Sequence, residues 1–162
     1  MIKSIYHFFV VAGVVWSMAA CSSSTVIDEQ SDIEEGLWHL DSLVSFQFEV
    51  EDTTTVYQID YNVRYAVNYP YYNLFLKYYL EDSTGEILSS ELQELILFDK
   101  KTGKPMGDGL GDLFDREVPI TEGQKFSNTG IYTFKVKQFM RMEELPGILS
   151  FGLKIQKPEE DK

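Results

Sequence analysis

The one cysteine in this 162-residue chain is Cys21, and it follows Met18-Ala19-Ala20. Ahead of these lie Lys3 and the apolar run Phe8 to Trp16. A short positive segment, an apolar stretch and small residues make a secretory signal peptide, whose peptidase requires small side chains near the cut. A cysteine directly after that cut is the pattern of a bacterial lipobox. The chemistry expected is attachment of diacylglycerol to the Cys21 thiol, cleavage before Cys21, and acylation of the new amino end. Each buried methylene contributes about 0.8 kcal/mol, so two or three acyl chains hold a protein on a bilayer. The apolar run is too short to cross the bilayer as a helix in a mature protein. With its thiol acylated, the folded part is expected to have no disulfide, no thiolate nucleophile and no thiolate metal site.

Little else in the chain is equipped for chemistry. After Cys21 there is one histidine, His39, beside Trp38 on an apolar stretch, and a histidine so placed reads as structural. No nucleophile-elbow pattern accompanies it, and the usual zinc sites need several His or Cys ligands. The loop Asp108-Gly109-Leu110-Gly111-Asp112 suggests calcium, but its acids do not fall at the positions of an EF-hand. The favoured reading is a turn-rich loop whose Asp side chains cap backbone N–H groups. Its glycines lack the Walker lysine of a phosphate cradle. With 26 acidic residues to choose from, no carboxylate pair stands out for glycoside hydrolysis. No catalytic residue, metal ligand or cofactor is therefore assigned.

Recognition is a different matter. Arg64 lies on the polar face of an alternating segment that runs on into Tyr69-Pro70-Tyr71-Tyr72-Asn73. Arg141 follows Gln138 and Met140, near Pro146-Gly147. One reading pairs each arginine with an internal carboxylate, and it is favoured for Arg64 and Arg141. The other makes Arg64, Tyr71, Tyr72, Asn73, Gln138 and Arg141 a contact surface, since Arg and Tyr are enriched at interface hot spots.

The elements that must position these residues read as strands. Val44, Phe46, Phe48 and Val50 alternate with polar residues, the period of a half-buried strand. Tyr57, Ile59, Tyr61, Val63, Tyr65 and Val67 share one face, opposite Gln58, Asp60, Asn62 and Arg64. Pro70 interrupts, because proline has no N–H to give a ladder. Leu74, Leu76, Tyr78 and Leu80 alternate next, and Ser83-Thr84-Gly85 is a turn. Leu92 to Phe98 suggests a strand buried on both sides. Asp99 to Gly130 shows no period and is expected to be a long, glycine-rich loop. Tyr132, Phe134 and Val136, then Leu149, Phe151, Leu153 and Ile155, restore alternation. Seven or so strands without an amphipathic helix predict an all-β fold, an antiparallel two-sheet β-sandwich of jelly-roll or immunoglobulin-like topology. The expected divisions are a signal peptide at 1–20, a polar tether at 21–35, the β-sandwich at 36–157 and a polar tail at 158–162.

Charge narrows the partners. All 26 acidic residues and 13 of the 14 basic ones follow Ala20, so the mature chain carries −13. That balance argues against nucleic acid and against an electrostatic grip on anionic lipid. Ten Tyr and eleven Phe favour β-structure. Acidic residues begin only at Asp28. A signal for surface export, which in some Bacteroidetes lipoproteins is a run of acids directly after the cysteine, is therefore absent, and the periplasmic face is expected rather than the cell surface.

The order and spacing of several segments resemble one family, the GldH gliding-motility lipoproteins of Bacteroidetes. The segments are Arg64 with Tyr69 to Leu74, the loop Gly107 to Asp112, Gly130-Ile131-Tyr132, and Gln138-Phe139-Met140-Arg141 before Leu145-Pro146-Gly147-Ile148. The likeness runs from Trp38 to Ile155 and includes the lipobox. It departs at Met106, where an aromatic, usually Trp, is expected. The resemblance implies an outer-membrane lipoprotein with no known enzymatic activity, needed for gliding and linked to a secretion apparatus. It also implies other gliding or envelope lipoproteins as partners. The expected function is thus non-catalytic: the lipid bilayer is engaged through acylated Cys21, and envelope machinery through protein contact. The alternative is a carbohydrate-binding sandwich, whose aromatics would stack on sugar rings.

Overall fold

The computed structural model describes residues 24–158. Cys21, the signal peptide at 1–20 and most of the tail at 158–162 lie outside the described residues. Eleven strands follow one another: β1 Thr25–Asp32, β2 Leu37–His39, β3 Val44–Val50, β4 Tyr57–Ala66, β5 Asn73–Glu81 and β6 Ile87–Ile96. The remainder are β7 Asp108–Leu110, β8 Leu113–Gln124, β9 Gly130–Gln138, β10 Glu144–Pro146 and β11 Ile148–Gln156. One sheet has the order β1-β11-β4-β8-β7, the other β3-β9-β5-β6, and β2 pairs with β10 in a small ribbon. All pairings are antiparallel. The expected all-β sandwich is what forms.

β3 and β4 arise where alternation is cleanest. Val44, Phe46, Phe48 and Val50 are all buried, and so are Tyr57, Ile59, Tyr61, Val63 and Tyr65. The inner faces meet in an aromatic stack. The Phe151 ring lies 4.9 Å from Tyr61, 5.6 Å from Trp38 and 6.4 Å from Phe46. Phe126 sits 5.3 Å from Tyr57 and 4.7 Å from Tyr132 at the other end. Offset and edge-on ring pairs of this kind contribute beyond their buried area.

Three expectations are corrected. The polar stretch placed in a tether at 21–35 holds β1, which pairs with β11 from Thr25↔Gln156 to Asp32↔Ser150. An edge strand is held by main-chain bonds and can bury very little. Here Ile27 is its one buried side chain, so side-chain pattern could not reveal it. The stretch 99–130 contains β7 and the twelve-residue β8. Its period is hidden because Arg116, partner of buried Val63, stands where an apolar residue was required. The segment Leu92 to Phe98 is not buried on both sides: Leu92 is 54 % exposed, and burial begins only at Leu95.

The registers give the sandwich two distinct ends. Thr25, Gln156, Tyr57, Gln124, Val50 and Gly130 meet at one, which we call the proximal end. There Ser24 O accepts the Lys157 N–H at 2.7 Å. Cys21 is three positions before Ser24 in sequence, so any anchor enters here. Asp32, Ala66, Leu113, Asn73 and Gln138 mark the opposite, distal end.

Turns at both ends use Asp side chains as Asx motifs. Asp52 accepts from the Thr54 N–H at 2.8 Å and from the hydroxyls of Thr54 and Thr55 at 2.6 and 2.7 Å. These bonds lower its pKa from 3.8 to about 2, the Thr54 hydroxyl contributing most. Thr84 and Thr102 lower Asp82 and Asp99 in the same way. A depressed carboxylate contributes stability that is in place above its unfolded pKa and is lost as pH falls through the folded one. Carbon-detected NMR titration should therefore place the Asp52 midpoint near 2, with the 51–56 turn loosening only below pH 3.8. A midpoint at the ordinary value would refute the turn geometry.

Candidate interaction surface

The residues singled out for recognition divide sharply between structural and exposed roles. Arg64, on β4, faces Asp115 on β8 across the register. Its Nε donates to Asp115 Oδ1 at 2.9 Å and its terminal amine to Oδ2 at 3.0 Å. The carboxylate raises the guanidinium pKa. The fork geometry is the strong form of such a pair, but with both partners about half exposed it contributes at most about 1 kcal/mol. The favoured reading of Arg64, an internal ion pair, is what the geometry gives. Arg141 differs from that reading: it is exposed and has no ion pair among the described residues.

Asn73 and Gln138 are buried. The Asn73 amide donates to Glu94 Oε1 at 2.5 Å, and its backbone carbonyl accepts the Tyr69 hydroxyl at 2.9 Å. Burial raises the pKa of Tyr69. Gln138 Oε1 accepts the Met140 N–H at 2.7 Å and its Nε2 donates to Met142 O at 2.9 Å. A buried carboxamide bonded at both ends holds the 139–143 loop and is not free for a partner. Tyr71 and Tyr72 remain at the surface. The Tyr71 ring stands edge-on to Tyr69 at 5.9 Å, and Lys100 Nζ lies 5.2 Å from the Tyr72 ring centre.

The loop Asp108 to Asp112 is a hairpin, and the backbone capping expected of its Asp side chains is not what holds it. β7 and β8 turn through Gly111-Asp112, with Gly111 at φ +67°. Asp115 is engaged by Arg64, and Asp112 O accepts the Val67 N–H at 2.8 Å. At Gly107 (φ +101°) a Cβ would lie 2.2 Å from Asp115 O, so the chain can pass only as glycine. The preceding segment is fastened by Tyr65. Its hydroxyl is 2.6 Å from Leu97 O and 2.5 Å from Met106 O, and accepts the Met106 N–H at 3.0 Å. Met106, where an aromatic was expected, meets Tyr65 through its main chain.

The hairpin presents Leu110, 92 % exposed, beside exposed Leu113 and Val67. With Tyr71, Tyr72 and Phe139 these form the apolar part of the distal end. Sequence reasoning missed Leu110, Leu113, Val67 and Phe139. A leucine set between two glycines, Gly109 and Gly111, was the available signal, because a two-residue turn cannot bury its flanking side chain.

Fold and surface together define an antiparallel β-sandwich with a cluster of exposed large apolar side chains at one end. The family model described as GldH lipoprotein matches residues 25–155, the span from the start of β1 nearly to the end of β11. A protein named gliding motility lipoprotein GldH homolog, from Christiangramia forsetii, is 31 % identical over 164 residues. That match covers 97 % of this chain and 99 % of the relative. The gliding motility lipoprotein GldH of Flavobacterium johnsoniae is 31 % identical, covering 86 % of this chain and 89 % of its own. The chain belongs to the GldH lipoprotein family. Among solved structures, an infectious bursal disease virus VP2 subviral particle aligns over 83 % of this chain and 31 % of its own, at 9 % identity and a TM-score of 0.36. Dimeric latent PorU from Porphyromonas gingivalis aligns over 88 % of this chain and 14 % of its own, at 9 % identity and a TM-score of 0.33. Those two likenesses are too slight to carry argument.

Proposed function

We propose that this protein is a non-catalytic lipoprotein of the outer membrane that serves gliding motility and its secretion machinery by protein contact. Acylated Cys21 holds it at the periplasmic face, and its partners are other gliding or envelope lipoproteins. The names of the two relatives support the gliding role. The observation that carries the contact reading is the polarity of the sandwich. The chain enters from Cys21 at the proximal end, and Leu110, Leu113, Val67, Tyr71, Tyr72 and Phe139 lie exposed at the distal one. Clusters of exposed apolar and aromatic side chains mark sites where another surface excludes water. Trp38 does not favour a sugar platform, since it is 1 % exposed and its indole N–H donates to Ser42 O at 3.1 Å.

The test is affinity purification of the mature lipoprotein from solubilised membranes, comparing it with a Leu110→Asp, Tyr72→Ala double variant. Recovery of gliding and secretion components should fall about tenfold, the effect of losing one or two hot-spot residues. Membrane fractionation and thermal midpoint should hold, because both side chains are exposed. Equal recovery with the variant would reject the distal contact. Protease shaving of intact cells that removes the protein would reject the periplasmic face.

A further inference from the structure

The two sheets come together where β1 runs beside β3 and stay apart on the opposite side. There β6 is the last strand of its sheet. On the facing sheet, β7 covers β8 only from Leu113 to Asp115, so Arg116 to Gln124 is an open edge as well. Between these rims runs a groove made of two adjoining hollows of about 230 and 400 Å³, which share Leu80, Ser89 and Gln124.

The strand on one rim is inverted. Its register puts Ser89, Glu91 and Gln93 opposite Leu80, Tyr78 and Leu76, so these three polar residues face the space between the sheets. Leu92 points to the outer surface and is 54 % exposed. Gln93 Oε1, in the lining of the groove, has no hydrogen-bond partner among the described residues, and neither do the Tyr61 hydroxyl and Arg116 Nε on the facing sheet. Tyr61 lies beneath the groove wall, its ring 5.9 Å from that of Phe134, which lines the groove. Arg116, partner of buried Val63, faces inward from the other rim. Such atoms cost stability unless something satisfies them, and this set offers both acceptors and a donor.

The edge also offers main-chain groups. Leu97 N–H donates to Tyr72 O at 2.8 Å. The alternation of an antiparallel ladder then directs Leu95, Gln93 and Glu91 towards β5 and turns the N–H and C=O of Ser90, Leu92 and Glu94 outward. From Asp82 to Asp99 the chain carries Asp82, Glu86, Glu91, Glu94 and Asp99, and neither Lys nor Arg. A second copy is a poor occupant, because its β6 would bring the same acids. Antiparallel pairing would also turn one proximal end away from the other's membrane.

We propose that the groove between β6 and β8 receives an extended basic segment of another protein. It adds as a strand to the free edge of β6 and places a cationic side chain against Glu91. Main-chain bonds supply affinity in strand addition, and alternate side chains supply specificity. The proposal goes beyond the distal contact and stands on different residues, so either can fail alone.

The test uses the mature acylated protein in detergent micelles and a synthetic ten-residue peptide alternating lysine and valine. Residue-resolved hydrogen exchange should show the Ser90, Leu92 and Glu94 amides slowed about tenfold or more at saturation, with the Leu110 hairpin unchanged. A peptide alternating glutamate and valine should give no protection. Glu91→Gln should weaken binding about tenfold, as expected for a desolvated charge contact. Leu92→Pro removes an N–H that the β5 ladder does not use, so it should keep the thermal midpoint and abolish protection. Equal protection by both peptides, none by the lysine peptide, or undiminished binding by Leu92→Pro would overturn the proposal. So would a Glu91→Gln protein that binds as before but aggregates, since Glu91 would then only guard the edge against pairing with other chains.

Discussion

Phe151→Ala should lower the unfolding free energy by about 3–5 kcal/mol, the usual loss for an aromatic removed from a packed core. Phe151 is fully buried in β11 and belongs to the five-stranded sheet, yet its ring touches both layers. Tyr61 beside it is on β4 of the same sheet, Phe46 is on β3 of the other, and Trp38 is on the small β2–β10 ribbon. Removing the ring opens a cavity at the point where the two sheets and the small ribbon meet. Urea denaturation of the mature protein measures the loss as a lower midpoint at unchanged slope. Phe151→Leu, which keeps most of the volume, should cost far less, about 1.5 kcal/mol. A loss below about 1 kcal/mol for the alanine variant would mean that the sheets are not joined through this ring.

Cys21→Ser should produce the largest change in where the protein is found. A serine hydroxyl does not take the place of the thiol as the acceptor of diacylglycerol, so the chain should accumulate uncut or be released from membranes. The net charge of −13 after Ala20 offers no electrostatic substitute at an anionic bilayer. Fractionation and mobility on a denaturing gel report both outcomes. A Cys21→Ser protein that still sediments with the outer membrane at mature size would refute lipidation at Cys21. Combining it with Phe151→Ala separates anchoring from folding, because the first leaves the denaturation midpoint alone and the second leaves processing alone.

The sequence made legible what depends on side-chain burial. β3, β4, β9 and β11 alternate because one face of each packs on the core, and period two found most of their inner residues; it failed at Val67, which lies past the end of β4 and is exposed, and at Leu149, where a register shift buries Ile148 instead. β1 and β8 escaped and β6 was read with the wrong burial, for the same reason in different forms. β1 is an edge strand with one buried side chain, β6 faces its polar residues inward, and β8 puts Arg116 among its apolar positions. Backbone pairing holds all three, and backbone pairing leaves no compositional trace. The candidate residues show the complementary failure. Asn73 and Gln138 have the chemistry of recognition, but their partners, Glu94 and the Met140 and Met142 main chain, are distant in sequence or supplied by a folded loop. Only the tertiary structure shows that they are already occupied. Leu110 shows the opposite case, since a leucine is presumed buried until a tight hairpin lifts it into water.

The bond between Lys157 N–H and Ser24 O has a mechanical meaning. Only Ser22 and Ser23 separate Cys21 from a residue already fastened to the last strand, a span of roughly 10 Å at most. If Cys21 carries the lipid as proposed, so short a link would keep the proximal end within about 10 Å of the acylated residue. Ten-residue β4, at about 3.3 Å per residue, spans about 33 Å. With Cys21 acylated as proposed, the Leu110 hairpin would stand at the end of the sandwich away from the lipid, no more than about one strand length beyond the proximal end.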